Sequence, residues 1–284
     1  MWPFGRKTAA KSLGHKNVTI ILNGEPKSGT TWLEYVAKDL LTQACESERP
    51  GCELLQGVGG RTVSALRTSG LVRYDIDAKH RIPNIGHKNE FDFSMAPSLS
   101  DAEVEAAAKA TLTGETADAK WLAIFRDPRD VTISSCYHMS KGCPDATGYV
   151  QKATKRHRID RIAKWIALRH RFFDALQRLA PERVMILFYE EMKKDEEGTI
   201  KKLANYFEVP LTRKQRMLIS SHTTFSAMKD MGSVKVAQGG AASGKVREGA
   251  SCGYAKELSA DGAQRVTAIM RRDLSPALNA VWKC

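Results

Sequence analysis

Apolar positions along the chain change their period several times, and each change marks an element. Residues 18–22 form a short β-branched run that predicts a buried strand. After a glycine-bearing turn, Trp32, Leu33, Val36, Ala37, Leu40 and Leu41 recur at helical spacing, so a helix follows and ends near Cys45. Residues 121–125 and 184–188 predict two further buried strands, and 71–76 and 81–87 two shorter ones. Between the two buried strands, Ile162, Trp165, Ile166, Phe172, Phe173 and Leu176 make the apolar stripe of a long helix over 160–179. A capping box, Ser100 with Glu103, opens a helix that runs to about Leu112, and Pro128 opens another. Later helices are expected at 196–207, at 213–221 behind a Thr212/Gln215 capping box, and at 261–282 with an interruption at Pro276.

Glycine and proline punctuate the rest. Residues 46–70 read as loop with short helical pieces, and 232–246 as a glycine-, serine- and alanine-rich mobile loop. Residues 1–17 read as a flexible polar lead-in to one domain over 18–284. Strands alternating with helices predict an α/β fold with a central parallel sheet flanked by helices on both faces. Its ligand belongs at the carboxyl ends of the strands.

Charge narrows the partner. The 284 residues carry a formal net charge of +12, which suits nucleic acid, an anionic membrane or a polyanionic nucleotide. The basic run 152–161 has no interleaved aromatics and reads as a solvated helix face, so no nucleic-acid partner is expected. No stretch is long and apolar enough to span a bilayer, and the first residues lack a signal-peptide core. A cytoplasmic location is the expectation, or a secretory lumen if an anchor precedes the chain. Six cysteines show neither a C-x-x-C pair nor zinc spacing, so no metal site is expected. Cys45/Cys52 and Cys136/Cys143 share one spacing; free thiols suit a reducing compartment and two local disulfides an oxidising one.

The chemistry concentrates in Gly24-Glu25-Pro26-Lys27-Ser28-Gly29-Thr30-Thr31-Trp32. A strand, a glycine turn and a helix N-terminus together offer backbone N–H groups and a positive dipole end to an anion. Gly29 allows close approach, Lys27 supplies charge, and Thr30 and Thr31 supply hydroxyl donors. Gly24 and Gly29 stand as in a nucleoside-triphosphate loop, but Thr30 takes the place of that motif's lysine. A second anion site is expected where the strand 121–125 delivers Arg126, with Ser134 eight residues on.

The order Pro26-Lys27-Ser28-Gly29-Thr30-Thr31-Trp32 resembles the 5′-phosphosulfate loop of sulfotransferases that use 3′-phosphoadenosine 5′-phosphosulfate (PAPS). The segment from Ile124 through Arg126-Asp127-Pro128-Arg129-Asp130-Val131 to Ser134 resembles that family's 3′-phosphate site. Together the likeness spans about residues 18–260. It implies a P-loop-like cofactor site in which Lys27, Ser28, Gly29, Thr30, Thr31 and Trp32 hold the phosphosulfate and Arg126 and Ser134 the 3′-phosphate. Phe188-Tyr189-Glu190-Glu191-Met192 resembles the family's adenine segment, which makes Tyr189 a candidate contact; a tyrosine capping a core strand is the alternative. Arg247 and Gly249 match a motif that closes over the 3′-phosphate, with Glu248 replacing its lysine. The resemblance implies sulfuryl transfer to a hydroxyl or amine of a small-molecule acceptor, with Lys27 stabilising the leaving phosphate and His87 as catalytic base. His80 and Glu90 are rival bases. A glycan acceptor in the secretory pathway is the second reading, and a nucleotide phosphotransferase with a degenerate loop the third. That last would need an acidic residue after the strand 121–125, which instead delivers Arg126.

Overall fold

Alternation along the central strands decides how the layers assemble. In the computed structural model, β1 (Lys16–Leu22) turns Val18, Ile20 and Leu22 to one face and Ile21 to the other, all of them buried. β5 (Lys120–Phe125) does the same, with Leu122 and Ile124 opposite Trp121, Ala123 and Phe125. A strand apolar on both faces has to be covered on both. The structure describes residues 16–25, 27–47, 52–56, 63–67, 72–77, 82, 99–114, 116–139, 156–224, 226–228 and 251–282.

The remaining elements are α1 (Thr30–Ser47), β2 (Cys52–Gln56), β3 (Val63–Arg67), β4 (Val72–Asp77), α2 (Asp101–Thr113), α3 (Pro128–Met139), α4 (Arg156–Leu179) and β6 (Val184–Phe188). There follow α5 (Tyr189–Lys194), α6 (Glu196–Tyr206), α7 (Arg213–Thr223), a 3-10 turn (Gly253–Lys256), α8 (Ala260–Asp273) and α9 (Pro276–Asn279). The sheet order is β2-β3-β4-β1-β5-β6. One face is covered by α1, α6 and α7 through Leu33, Val36, Leu40, Ile200, Leu203 and Ile219. The other is covered by α2 and α4 through Val104, Ala108, Phe172, Phe173 and Leu176. Beyond it, α3, the first half of α4 and α8 share a third cluster around Val131, Ile162, Trp165 and Val266.

β4, β1, β5 and β6 are mutually parallel, and the register pairs Leu22 with Leu122 and Phe125 with Phe188. Among the described residues, three chain segments therefore leave the sheet at one edge: one that begins at 23–25, 126–127 and the start of α5. The capping boxes at Ser100/Glu103 and Thr212/Gln215 are formed, and Pro276 opens α9 after the break that ends α8. The sheet corrects one expectation. Residues 46–70 include β2 and β3, an antiparallel pair added to β4 at the sheet edge. Such short strands, Cys-Glu-Leu-Leu-Gln and Val-Ser-Ala-Leu-Arg, owe their form to pairing more than to pattern. The lead-in also ends earlier than expected, since Lys16 and Asn17 already belong to β1. The expected strand at 81–87 is described only at Ile82, a buried single-bridge residue, and the loop 232–246 lies outside the described residues.

Candidate active site

The first loop is shaped by its backbone. Asn23 continues β1 by donating its N–H to the Leu122 carbonyl at 3.1 Å. Gly24 follows at φ +150, and a Cβ there would stand 2.9 Å from the backbone nitrogen of Ile124, so only glycine lets the loop lie against β5. Lys27 adopts φ +71, a left-handed conformation that costs a side-chain-bearing residue about 1–3 kcal/mol. Gly29, at φ +107, supplies the first carbonyl of α1, which accepts the Leu33 N–H at 3.0 Å. The first turn of α1 holds no acidic residue, so its positive end keeps its full attraction for an anion.

The six loop positions divide by where they face. Lys27 and Thr31 are half-buried; Thr30 is buried at the first position of α1. Ser28 is fully buried, with Oγ between the carbonyls of Glu25 and Ile124, the latter at 2.6 Å, and its N–H donating to Glu25. The N–H and the hydroxyl of Ser28 thus both bond within the loop and its neighbouring strand. Trp32 turns into the core, and its indole N–H donates to Glu196 Oε1 at 3.2 Å.

Beneath the loop lies a charged cluster that the motif does not announce. Arg169 and His170 of α4 are both fully buried. Arg169 Nη2 donates to Asn23 Oδ1 and to the Gly24 carbonyl. His170 directs Nε2 at Glu25 Oε2, 3.4 Å away, and its ring stacks on Phe125 at 4.0 Å between centroids. Burial raises the Glu25 carboxyl above its ordinary range; His170, Arg169 and the backbone N–H of Arg126 offset part of that. A signal for Arg169 existed in the sequence. It falls on the apolar stripe of α4, between Trp165/Ile166 and Phe172/Phe173, where a charged residue must find a partner.

The second site is built from side chains. Arg126 leaves β5 with its side chain only 12% exposed, 3.2 Å from Asp130 Oδ2. Its guanidinium stands 4.8 Å over the centroid of the Tyr189 ring. Asp130 Oδ1 accepts the Tyr254 N–H at 2.7 Å, and Arg129 forks onto Asp127 while lying 4.3 Å over the Tyr254 ring. Glu190 Oε1 accepts the Asp127 N–H at 3.0 Å. Burial raises the Asp130 and Glu190 carboxyls and the Tyr189 phenol. Ser134 lies half-buried on α3. Tyr189 joins the two sites, because a Cβ on Gly29 would meet its ring at 3.0 Å while Arg126 covers the ring.

His87, Arg247 and Gly249, and the rival bases His80 and Glu90, lie outside the described residues. Among the described residues no group of three His, Cys, Asp or Glu side chains could hold a metal, and no helix is long and apolar enough to cross a membrane. Cys136 is a buried thiol, whereas Cys252, just before the 3-10 turn that meets α3, is disulfide-bonded.

Comparison with known proteins bears on the fold and the family. Sulfotransferase 2A6 of Rattus norvegicus is 30% identical over 122 residues, and Sulfotransferase 6B1 of Danio rerio 31% over 114. The match spans only 39% and 37% of those proteins' lengths. Over 94% of this chain and 88% of the other, the fold superposes on the mouse sulfotransferase SULT7A1 complexed with PAP, at TM-score 0.51 and 15% identity. It superposes equally, at TM-score 0.51 and 13% identity, on retinol dehydratase in complex with androsterone and inactive cofactor PAP, over 92% and 81% of the two chains. The family model for the sulfotransferase domain matches residues 18–277, and the chain therefore belongs to the sulfotransferase-domain family.

Proposed function

We propose that the protein transfers the sulfuryl group of PAPS to a hydroxyl or amine of a small-molecule acceptor, leaving 3′,5′-adenosine bisphosphate. The observation that carries this reading is Tyr189, wedged between Gly29 of one anion-facing loop and Arg126 of the other. A nucleotide whose ribose carries a 5′-phosphosulfate and a 3′-phosphate needs two anion sites about one ribose apart, with an aromatic side chain beside them for the base, and Tyr189 touches both loops. PAPS supplies an activated sulfuryl group, whose S–O bond to the 5′-phosphate breaks as the acceptor oxygen or nitrogen bonds to sulfur.

The chain's part is to bind, orient and neutralise. The start of α1 and Lys27 face the phosphosulfate and take up the charge that grows on the leaving oxygen. Arg126 and Ser134, with Arg247 and Gly249, hold the 3′-phosphate. His87 removes the acceptor proton. The mouse SULT7A1 and retinol dehydratase structures are both complexed with PAP, which supports the same choice here. A cytoplasmic location goes with this reading. The disulfide at Cys252 favours the other one, a glycan acceptor in an oxidising compartment, because such bonds are rare where thiols are kept reduced.

The deciding experiment is a melting-temperature shift. 3′,5′-Adenosine bisphosphate should raise the melting temperature, while ATP and DNA should not. An equal rise with ATP would discard the reading. Labelled PAPS offered to phenols, alcohols, amines and sugars then separates the acceptor classes.

A further inference from the structure

Each of residues 23, 24 and 25 sends one polar group to α4. Asn23 Oδ1 accepts the Gly24 N–H at 2.8 Å and also an Arg169 N–H, and the Gly24 carbonyl accepts from the same nitrogen of Arg169. Glu25 meets the His170 imidazole. That imidazole is clamped on its face by Phe125, the residue immediately before Arg126. Two successive α4 residues thus touch the base of the first loop and the strand end that launches the second. All of Asn23, Glu25, Arg169 and His170 are at most 1% exposed, so none of them reaches a ligand.

A cluster of this kind is a poor way to gain stability alone. Replacing buried ions by apolar side chains of similar size is often neutral or stabilising. What a buried network does supply is a fixed geometry, and the segment above this one needs it, since Lys27 holds a left-handed backbone. An imidazole with a proton on Nε2 fits the contacts: Nε2–H donates to Glu25, and Nδ1 has no hydrogen-bond partner among the described residues.

We propose that Arg169 and His170 are positioning residues that hold the first loop in its anion-ready shape before nucleotide arrives, acting through Asn23, Gly24 and Glu25. The proposal rests on the reading of this loop as the phosphosulfate site, but its first test needs no nucleotide. Hydrogen exchange is followed in the nucleotide-free wild type, in His170→Ala and in His170→Gln, which keeps an N–H donor. In His170→Ala the amides of residues 23–30 should exchange at least tenfold faster, with α6 unchanged within twofold and His170→Gln within threefold of wild type. A smaller acceleration, an equal one in α6, or no rescue by glutamine overturns the proposal. If His170→Ala does not fold, His170→Gln decides: loop exchange within threefold of wild type upholds the proposal, and faster exchange overturns it. Calorimetry with 3′,5′-adenosine bisphosphate follows, where His170→Ala should bind at least tenfold more weakly and His170→Gln within threefold of wild type. A wild type that does not bind this nucleotide defeats the functional reading, and the exchange result still decides the fate of the positioning role.

Discussion

The loop after β1 pairs a strained backbone with a buried side-chain base, and the loop after β5 is built from side chains. In the first, Gly24, Lys27 and Gly29 all carry positive φ within six consecutive residues, and Ser28 spends its hydroxyl inside the loop. In the second, Arg126 lies in a network that reaches Asp130 on α3, Tyr189 on α5 and, through Asp130, the amide of Tyr254. A backbone cradle presents N–H groups at fixed positions to the part of a ligand where bonds change. A side-chain fork can bind an anion tightly without taking part in the reaction. On the proposed function, the difference between the loops maps onto a difference in task, chemistry at the first and anchoring at the second.

The sharpest way to break that division is kinetic. Lys27→Ala should lower the turnover number about a hundredfold and weaken nucleotide binding as well, because its charge meets both bound ligand and leaving group. His87→Ala should lower turnover by roughly a hundredfold or more with nucleotide affinity near wild type. If Lys27→Ala changes affinity alone, the first loop is an anchor like the second and the division fails. A normal His87 variant beside an inactive Glu90 or His80 variant would move the base and leave the division standing.

Next in size is Arg126→Ala. Losing a charged hydrogen-bond partner should weaken 3′,5′-adenosine bisphosphate binding by about 1.5–3 kcal/mol. Binding of adenosine 5′-phosphosulfate, which has no 3′-phosphate, should barely change, and neither should turnover at saturating donor. Calorimetry that finds equal losses for both nucleotides would remove Arg126 from the 3′-phosphate. On the backbone side, Gly24→Ala should cost about 1–3 kcal/mol of stability, since its Cβ meets the Ile124 backbone nitrogen, which cannot swing aside. Denaturation showing no loss would mean the first loop is softer than its dihedrals imply.

The same contrast explains what could be read in advance. The first loop is a contiguous string whose composition carries its conformation, so its place and the helix behind it are legible from residues 24–32. Strand Trp121–Phe125 and its arginine are legible too, because a strand apolar on both faces is a strong pattern. What pattern could not supply is the partner list. Asp130 and Tyr254 are 124 residues apart in the chain, and only the packing of α3 against the 3-10 turn joins them. The contacts of the Ser28 hydroxyl with the Glu25 and Ile124 carbonyls were not legible, because a loop hydroxyl looks the same in sequence whether it faces a ligand or a carbonyl. β2 and β3 were missed because edge strands of mixed polarity are stabilised by their neighbour, β4. Glu25 stood inside the motif without a role, since its partners lie on α4, 144 and 145 residues away.

Glu25 also carries the finest test of the comparison, because its electrostatics belong to the first loop but are shared with the Arg126 backbone. Its carboxyl is raised above the ordinary value of 4.5, with burial the largest cause and His170, Arg169 and the Arg126 N–H opposing it. A carboxyl with a raised folded pKa holds its proton more tightly in the native state than in the unfolded one. Its contribution to stability is therefore present in full below pH 4.5 and is lost as pH rises through the raised value. Glu25→Gln removes this titration while keeping the side chain's shape. The stability of wild type relative to Glu25→Gln, measured by urea unfolding at a series of pH values, should fall as pH rises above 4.5. Exposed carboxylates contribute alike to both proteins and cancel in the difference. A difference that stays flat would mean Glu25 is as well stabilised in the folded loop as in water, and a difference that rises would mean Arg169 and His170 outweigh burial. Either outcome would set the base of the first loop apart from the second, where burial raises Asp130 and Glu190.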